Sequence, residues 1–470
     1  MSIKLSWFVV AIALVACRKE PAPTPASSKT GSADPWTSKP TTPDTPEKRA
    51  ARAEAALGRV AAIMPKLAKL RGLDFVNDIP RQYQSTDDFR KFVHREIENE
   101  LPAAKAGDES LALFQLGLLT KLENLAQLEE QAFVTQAGAY YDPKQKKFFL
   151  VMVPDSNMML DTMSAHELTH GLQDQHYDLE KFLPDEGDGS GAQKIDDDAS
   201  SARRFLVEGD ATFTMFLYMA SKDGKILPIT VDALVGQLGK LAGMSPADLA
   251  KMNAPMAESS DPEIKKSIEA MADIPDAVLV PMIDSYMQGA LLVAAVYKRG
   301  GWPAVNDLFV HPPESTEQAL HPDKLFAGEH PHRVTLPKLA GAELANVVFG
   351  ELQWQVYFGL WAPDHKVVAS EGWGGDRESV VRRPDGRLIS RIATVWDTPN
   401  DASEFATAYT ASLAKRFPKG SGDPASAAGF DRGDGAGKIF MKTDGAKVFA
   451  IDGVDSAKDL ATLVAGAKID

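Results

Sequence analysis

Apolar positions recur at helical spacing over most of this chain and at strand spacing in a few short stretches. From Pro46 to about Leu70, Ala and Leu gather on one face with charges on the other, which predicts a helix. Asp87–Leu101 and Glu109–Phe133 predict two more amphipathic helices. The period then drops to two: residues 139–153 read as a strand, a charged turn and a second strand. Helix returns from Asn157 to about His176. A Gly/Asp loop covers 184–198, and further helices cover 199–220 and Pro275–Arg299, the last with a break expected at Pro281. Residues 311–332 are Pro-rich and irregular. Past about Glu343 the pattern alternates: a helix at 346–361, strands near 378–397, a helix at 401–415, strands near 437–452 and a final helix from Ser456. No internal repeat is visible. The expected fold class is α+β and helix-rich. A helical lead-in and a core with a small antiparallel sheet occupy 49–340, and a separate, smaller α+β domain occupies 345–470.

The N-terminus follows different rules. Lys4 precedes an apolar run from Leu5 to Ala16, the length of a signal-peptide core and too short for a stable membrane span. The run ends Leu14-Val15-Ala16-Cys17, which resembles a bacterial lipobox. Small residues suit a peptidase cleft, and the thiol accepts a diacylglycerol. Residues 18–48 are rich in Pro, Ser, Thr and Lys with almost nothing to bury, which predicts a disordered tether. The expected location is therefore the bacterial cell envelope, lipid-anchored through Cys17.

Composition narrows the classes. Apolar residues make up 44% and charged residues 25% of the 470, which excludes a wholly disordered, collagen-like or polytopic membrane chain. The net charge is −14, and removal of residues 1–17, with one basic and no acidic residue, takes it to −15. Such a surface repels phosphate backbones, so nucleic acid is not an expected partner. Cys17 is the single cysteine, which excludes an intrachain disulfide and a cysteine-based metal cage.

The chemistry concentrates in His166-Glu167-Leu168-Thr169-His170, an H-E-x-x-H string on a predicted helix. Two His four residues apart lie on one helix face and can meet one Zn²⁺, with the Glu between them placed to take a proton from water. A predicted strand pair precedes the helix, the arrangement with which an edge strand can hold an extended peptide by β-addition. A third ligand is needed. Glu208, in Leu206-Val207-Glu208-Gly209-Asp210-Ala211, gives a His₂Glu set, and its neighbours Phe205, Leu206 and Phe213 suggest a buried face where a lone carboxylate is costly. The alternative is His176, at metzincin spacing from His166. That pattern needs Gly at 173, where this chain has Gln, and an unbroken helix carries His176 about 120° off the face of His170. Helical geometry thus favours Glu208. For the oxyanion of a tetrahedral intermediate the candidates are His321, Tyr286 and Arg377. Asp185 to Gly191 clusters carboxylates as a Ca²⁺ loop does, without EF-hand spacing, and reads first as a solvated loop. Met158, Met159 and Met163 read as core filler. Gly372 to Gly375 lacks the Lys-Ser/Thr of a phosphate loop.

His166 to His176, followed by Leu206 to Ala211, resembles the gluzincin group of zinc metallopeptidases. More narrowly, the chain is similar to a set of poorly characterised bacterial HExxH lipoproteins. Pro312-Pro313-Glu314-Ser315-Thr316-Glu317-Gln318 with His321-Pro322, and Gly372-Trp373-Gly374-Gly375-Asp376-Arg377, extend the likeness over about 70–410. The resemblance implies a zincin-like catalytic core, one Zn²⁺ held by His166, His170 and Glu208, and Glu167 as general base. Thermolysin-type enzymes carry an Asp four residues after the third ligand to orient a ligand His. Here Thr212 stands at that place, which leaves Asp210 or Asp174 for the role. The expected activity is zinc-dependent hydrolysis of a peptide or protein substrate. The alternative is an envelope binding or assembly lipoprotein that keeps the fold without proteolysis. A third reading, an accidental HExxH in a helical scaffold, expects Glu208 to point away from the two His.

Overall fold

The structure, a computed structural model, describes residues 46–136, 138–154, 156–184, 195–221, 228–244, 248 and 273–470. Cys17, the tether up to residue 45 and the Asp185–Gly191 loop lie outside the described residues. The chain runs α1 (Pro46–Arg71), β1 (Arg81–Tyr83), α2 (Thr86–Glu100), α3 (Ala103–Leu116), α4 (Leu125–Gln136), β2 (Ala139–Asp142), β3 (Lys147–Leu150), α5 (Asn157–Tyr177), α6 (Leu179–Phe182), α7 (Asp197–Ala220) and α8 (Pro228–Ala242). It continues with α9 (Asp276–Leu308), α10 (Thr316–Leu320), α11 (Pro322–Ala327), β4 (Val334–Thr335), β5 (Ala342–Val347), α12 (Gly350–Trp361), β6 (Trp373–Arg382) and β7 (Leu388–Trp396). The last elements are α13 (Pro399–Arg416), β8 (Ser421–Asp423), β9 (Gly429–Asp431), β10 (Lys438–Asp444), β11 (Lys447–Val454), α14 (Ala457–Gly466) and β12 (Lys468–Ile469). The fold is α+β and helix-rich.

Local chemistry explains most boundaries. Ser85 caps α2 by accepting from the Asp88 amide. In the β2–β3 turn, Asp142 Oδ1 accepts from the amides of Lys144 and Gln145 at 2.8 and 3.1 Å, which folds the charged run back on itself. The long helix expected over 109–133 is two helices. Gly117 adopts φ +87 and ends α3, and the buried Leu118 and Leu119 lead away before α4 begins. Pro281 does not break α9. The interruption is at Gly301, φ +66, and helix continues past it to Leu308. Residues 311–332 hold two short helices, the first capped by Ser315, which accepts from the Gln318 amide. The helix expected from 346 starts at Gly350, because Ala342–Val347 is a strand.

Three sheets are present among the described residues, the least of them the antiparallel pair β12-β4. The three-stranded one has the order β1-β3-β2, with β2 antiparallel and β1 parallel to β3, so it is not wholly antiparallel. The large one is antiparallel, seven-stranded, in the order β5-β6-β7-β11-β10-β9-β8. The C-terminal part packs closely against the helices that precede it. One apolar core runs from α3 through α7 and α9 into α12, Trp373, Trp396 and Phe405. Buried Gln115 of α3 donates to Asp452 of β11 at 3.1 Å, and Trp361 donates to the Gly117 carbonyl at 2.6 Å. Asp452 also pairs with Arg432 at 3.1 Å, so this buried carboxylate is met from both parts of the chain. Helix α9 is long and apolar enough to cross a membrane by composition, but most of its apolar stretch is buried against the protein, as in a core helix.

Candidate metal centre

Helix α5 is buried on every side from Thr162 to Asp174, packed by α1, α7 and β2. This places polar side chains where water does not reach, and their partners decide what they do. His166 and His170 sit one turn apart with Nε2 atoms 3.1 Å from each other. Glu208 Oε2, from α7, lies 3.4 Å from His166 Nε2 and 3.8 Å from His170 Nε2. The three side chains are at most 7% exposed. Three donors about 3.3 Å apart are what one tetrahedral ion with bonds near 2.0–2.1 Å requires. Glu208 Oε2 has no hydrogen-bond partner. Burial pushes Glu208 up to about 7 and both His down to about 3. Neither the two imidazoles nor the charge of Arg204 offsets the cost of burying this carboxylate. Glu208 thus points towards the two His, against the accidental reading of HExxH.

The crossing of α7 and α9 sets this geometry. A Cβ on Gly209 would lie 2.1 Å from the carbonyl carbon of Gly289, and one on Gly289 would lie 2.2 Å from the Phe205 oxygen. The two helices touch backbone to backbone beside Glu208. The same contact brings Tyr286 of α9 to the centre, its ring stacked on His166 at 5.5 Å.

Glu167 is fully buried, and its Oε2 accepts from the Tyr141 amide of β2 at 3.0 Å. Strand β2 is an edge strand, but that outward N–H is used by Glu167 rather than left open for a peptide. His170 Nδ1 meets Gln173 Oε1 at 2.7 Å, and Gln173 Nε2 donates to Asp210 Oδ2 and to the Val207 carbonyl, both at 2.9 Å. Asp210 therefore stands behind His170 through Gln173. Asp174 does not support a ligand His. It accepts from the Tyr141 hydroxyl at 2.8 Å and pairs with Lys146 at 2.9 Å.

Other expected site residues lie elsewhere. His176 continues round the helix and its Nε2 meets the Asp74 carbonyl at 2.8 Å, outside the cluster. His321 pairs with Glu351 at 3.0 Å, and this hydrogen bond holds its proton more tightly than usual. Arg377 donates to the Val334 carbonyl from β6. Met163 is core, but Met158 is 47% exposed because it faces out from the first turn of α5. Sequence reasoning missed Gln173, Tyr141, the Gly209–Gly289 contact and Arg71, whose Nε lies 2.7 Å from Asp210 Oδ1 with both side chains fully buried. The signal for Gln173 was its place three residues after His170, on the same helix face.

Residues 338–463 match a family described as a domain of unknown function (DUF8575). The match covers the large sheet and stops well short of the His and Glu of the cluster. No curated protein and no solved structure matches the chain.

Proposed function

We propose that the chain is a zinc metallopeptidase of the bacterial cell envelope, anchored by lipid on Cys17, with a gluzincin-type, zincin-like core. The observation that carries this reading is the convergence of His166, His170 and Glu208 with Glu208 Oε2 left without a donor. His166, His170 and Glu208 would hold Zn²⁺, and the orphaned oxygen is the atom an ion would satisfy. When bound, the ion supplies Lewis-acid polarisation of a carbonyl and of water. Glu167 takes a proton from the attacking water and delivers it to the leaving amine as the C–N bond breaks, so that water is divided between the two new ends. The Tyr141 amide fixes the Glu167 carboxylate for that transfer. Of the three oxyanion candidates, Tyr286 is the one stacked on a cluster residue, and it takes that role here. The substrate is a peptide or protein, and the anchor and tether set where it is met.

Zinc content and hydrolysis of an unstructured protein such as casein test the reading together. One zinc per chain with hydrolysis supports it; purified protein without stoichiometric zinc sinks it. A second reading, an envelope binding or assembly lipoprotein that keeps the centre without proteolysis, draws on the burial of Glu167, His166, His170 and Glu208, each at most 5% exposed. Full zinc occupancy with no hydrolysis of casein or of a mixed peptide library selects that reading.

A further inference from the structure

Behind His170 a chain of fully buried polar groups leads to the far end of α1. Gln173 Oε1 faces His170 Nδ1 at 2.7 Å, and Gln173 Nε2 reaches the Val207 carbonyl and Asp210 Oδ2, both at 2.9 Å. Asp210 Oδ1 lies 2.7 Å from Arg71 Nε. Arg71 donates to Asn306 Oδ1 at 2.8 Å and lies 4.4 Å over the ring of Trp302. The Trp302 indole in turn donates to the Leu70 carbonyl at 2.7 Å. Gln173, Asp210, Arg71 and His170 are each 0% exposed, so no water competes for these contacts, of which that between Asp210 and Arg71 is an ion pair.

The chain has a direction. Both hydrogens of the Gln173 amide nitrogen have acceptors, a carbonyl and a carboxylate. Turned the other way, the amide oxygen would face two oxygens and its nitrogen would face the imidazole. The amide orientation is therefore set by Asp210, and Asp210 is held by the charge of Arg71. An amide oxygen at Nδ1 accepts only from N–H. His170 must then carry its proton on Nδ1 and present a bare Nε2 to His166 and Glu208.

We propose that Arg71, Asp210 and Gln173 form a positioning relay that locks His170 in its Nδ1–H tautomer and so sets the affinity of the centre for a divalent cation. Helix α1 is then part of the centre, since it contributes the charged end of the relay. This rests on the reading that the His166–His170–Glu208 cluster binds a metal ion. The tautomer itself can be tested without any metal.

Zinc binding by full-length protein in detergent, titrated against a chelator of known affinity, is compared for wild type, Q173L, D210N and the double variant. Loss of an outer partner of a ligand His weakens metal binding about 10–100-fold, and that loss is expected for each single variant. The double variant should be no weaker than Q173L alone, because both changes cut one chain. The ¹⁵N shifts of His170 in metal-free protein should show Nδ1–H in wild type and a mixture of tautomers in Q173L. D210N is nearly isosteric and keeps the test available if Q173L does not fold. Folded variants that bind zinc within twofold of wild type and keep the Nδ1–H tautomer overturn the relay. Wild type that binds no zinc yet shows the pure tautomer, lost in Q173L, overturns the metal reading and keeps the relay.

Discussion

Two buried carboxylates, Glu208 and Asp376, sit in comparable darkness and are treated in opposite ways. Asp376 accepts from the Trp354 and Trp373 indoles at 2.9 and 2.8 Å, and from the Phe349 and Gly350 amides at 3.0 and 3.1 Å. Its neighbour Glu378 is pushed well above the usual carboxylate range by burial and by Asp376. Glu208 has two imidazoles for neighbours and an oxygen with no donor. A carboxylate ringed by donors is finished by the protein and holds a strand and a helix in register. One left incomplete among neutral nitrogens is, on the function proposed above, the one a cation would complete.

The contrast can be broken most directly at Glu208. Glu208→Ala should take the protein from one zinc per chain to none retained through dialysis, by elemental analysis, while Asp376→Ala should keep its zinc and lose melting temperature. Zinc kept by Glu208→Ala would remove the basis of the comparison. Glu167→Gln should keep zinc and lose hydrolysis by roughly 10²–10⁴-fold, the usual worth of a positioned acid–base group; unchanged turnover assigns the proton transfer elsewhere. Gly289→Ala places a methyl group into the Phe205 carbonyl. It should lower stability by about 1–3 kcal/mol in chemical denaturation and weaken zinc binding with it. If stability falls and zinc affinity does not, the helix crossing does not set the centre.

A further effect concerns pH. Burial outweighs the four donors and pushes Asp376 up to about 6, against 3.8 when unfolded. The folded state therefore binds more protons between those values. The stability this group contributes is complete below about 4 and is lost as pH rises through about 6. Asp376→Asn should flatten that slope, by on the order of 2 kcal/mol, in denaturant titrations from pH 4 to 7.

The HExxH helix was legible in the sequence because its bounds rest on local signals: helical pattern, no proline, and a strand pair ahead of it. Glu208 was legible through its apolar neighbours. What could not be read depended on partners distant along the chain. Gln173 looked like a missing glycine until Asp210 and Val207, over thirty residues on, gave its amide two acceptors. His321 and Arg377 carry the right chemistry, but Glu351 and Val334 engage them elsewhere. The boundary near 345 marked a real change of pattern. It gave no warning that α3 supplies Gln115 to the far sheet, because a single buried amide leaves no periodicity. Gly117 was passed over inside an otherwise continuous apolar pattern, where one left-handed residue is enough to end a helix.

The contact between Gly209 and Gly289 works as a gauge block. Elsewhere in the core, spacing between elements is set by side chains that can change rotamer and absorb a few tenths of an ångström. At this crossing nothing flexible intervenes, so the gap between α7 and α9 is as stiff as the peptide planes themselves. Glu208 is one residue from the block and Tyr286 is three. Their alignment with His166 therefore inherits machine-like tolerance from two residues that have no side chain at all. At these two positions any side chain would meet backbone at little more than 2 Å.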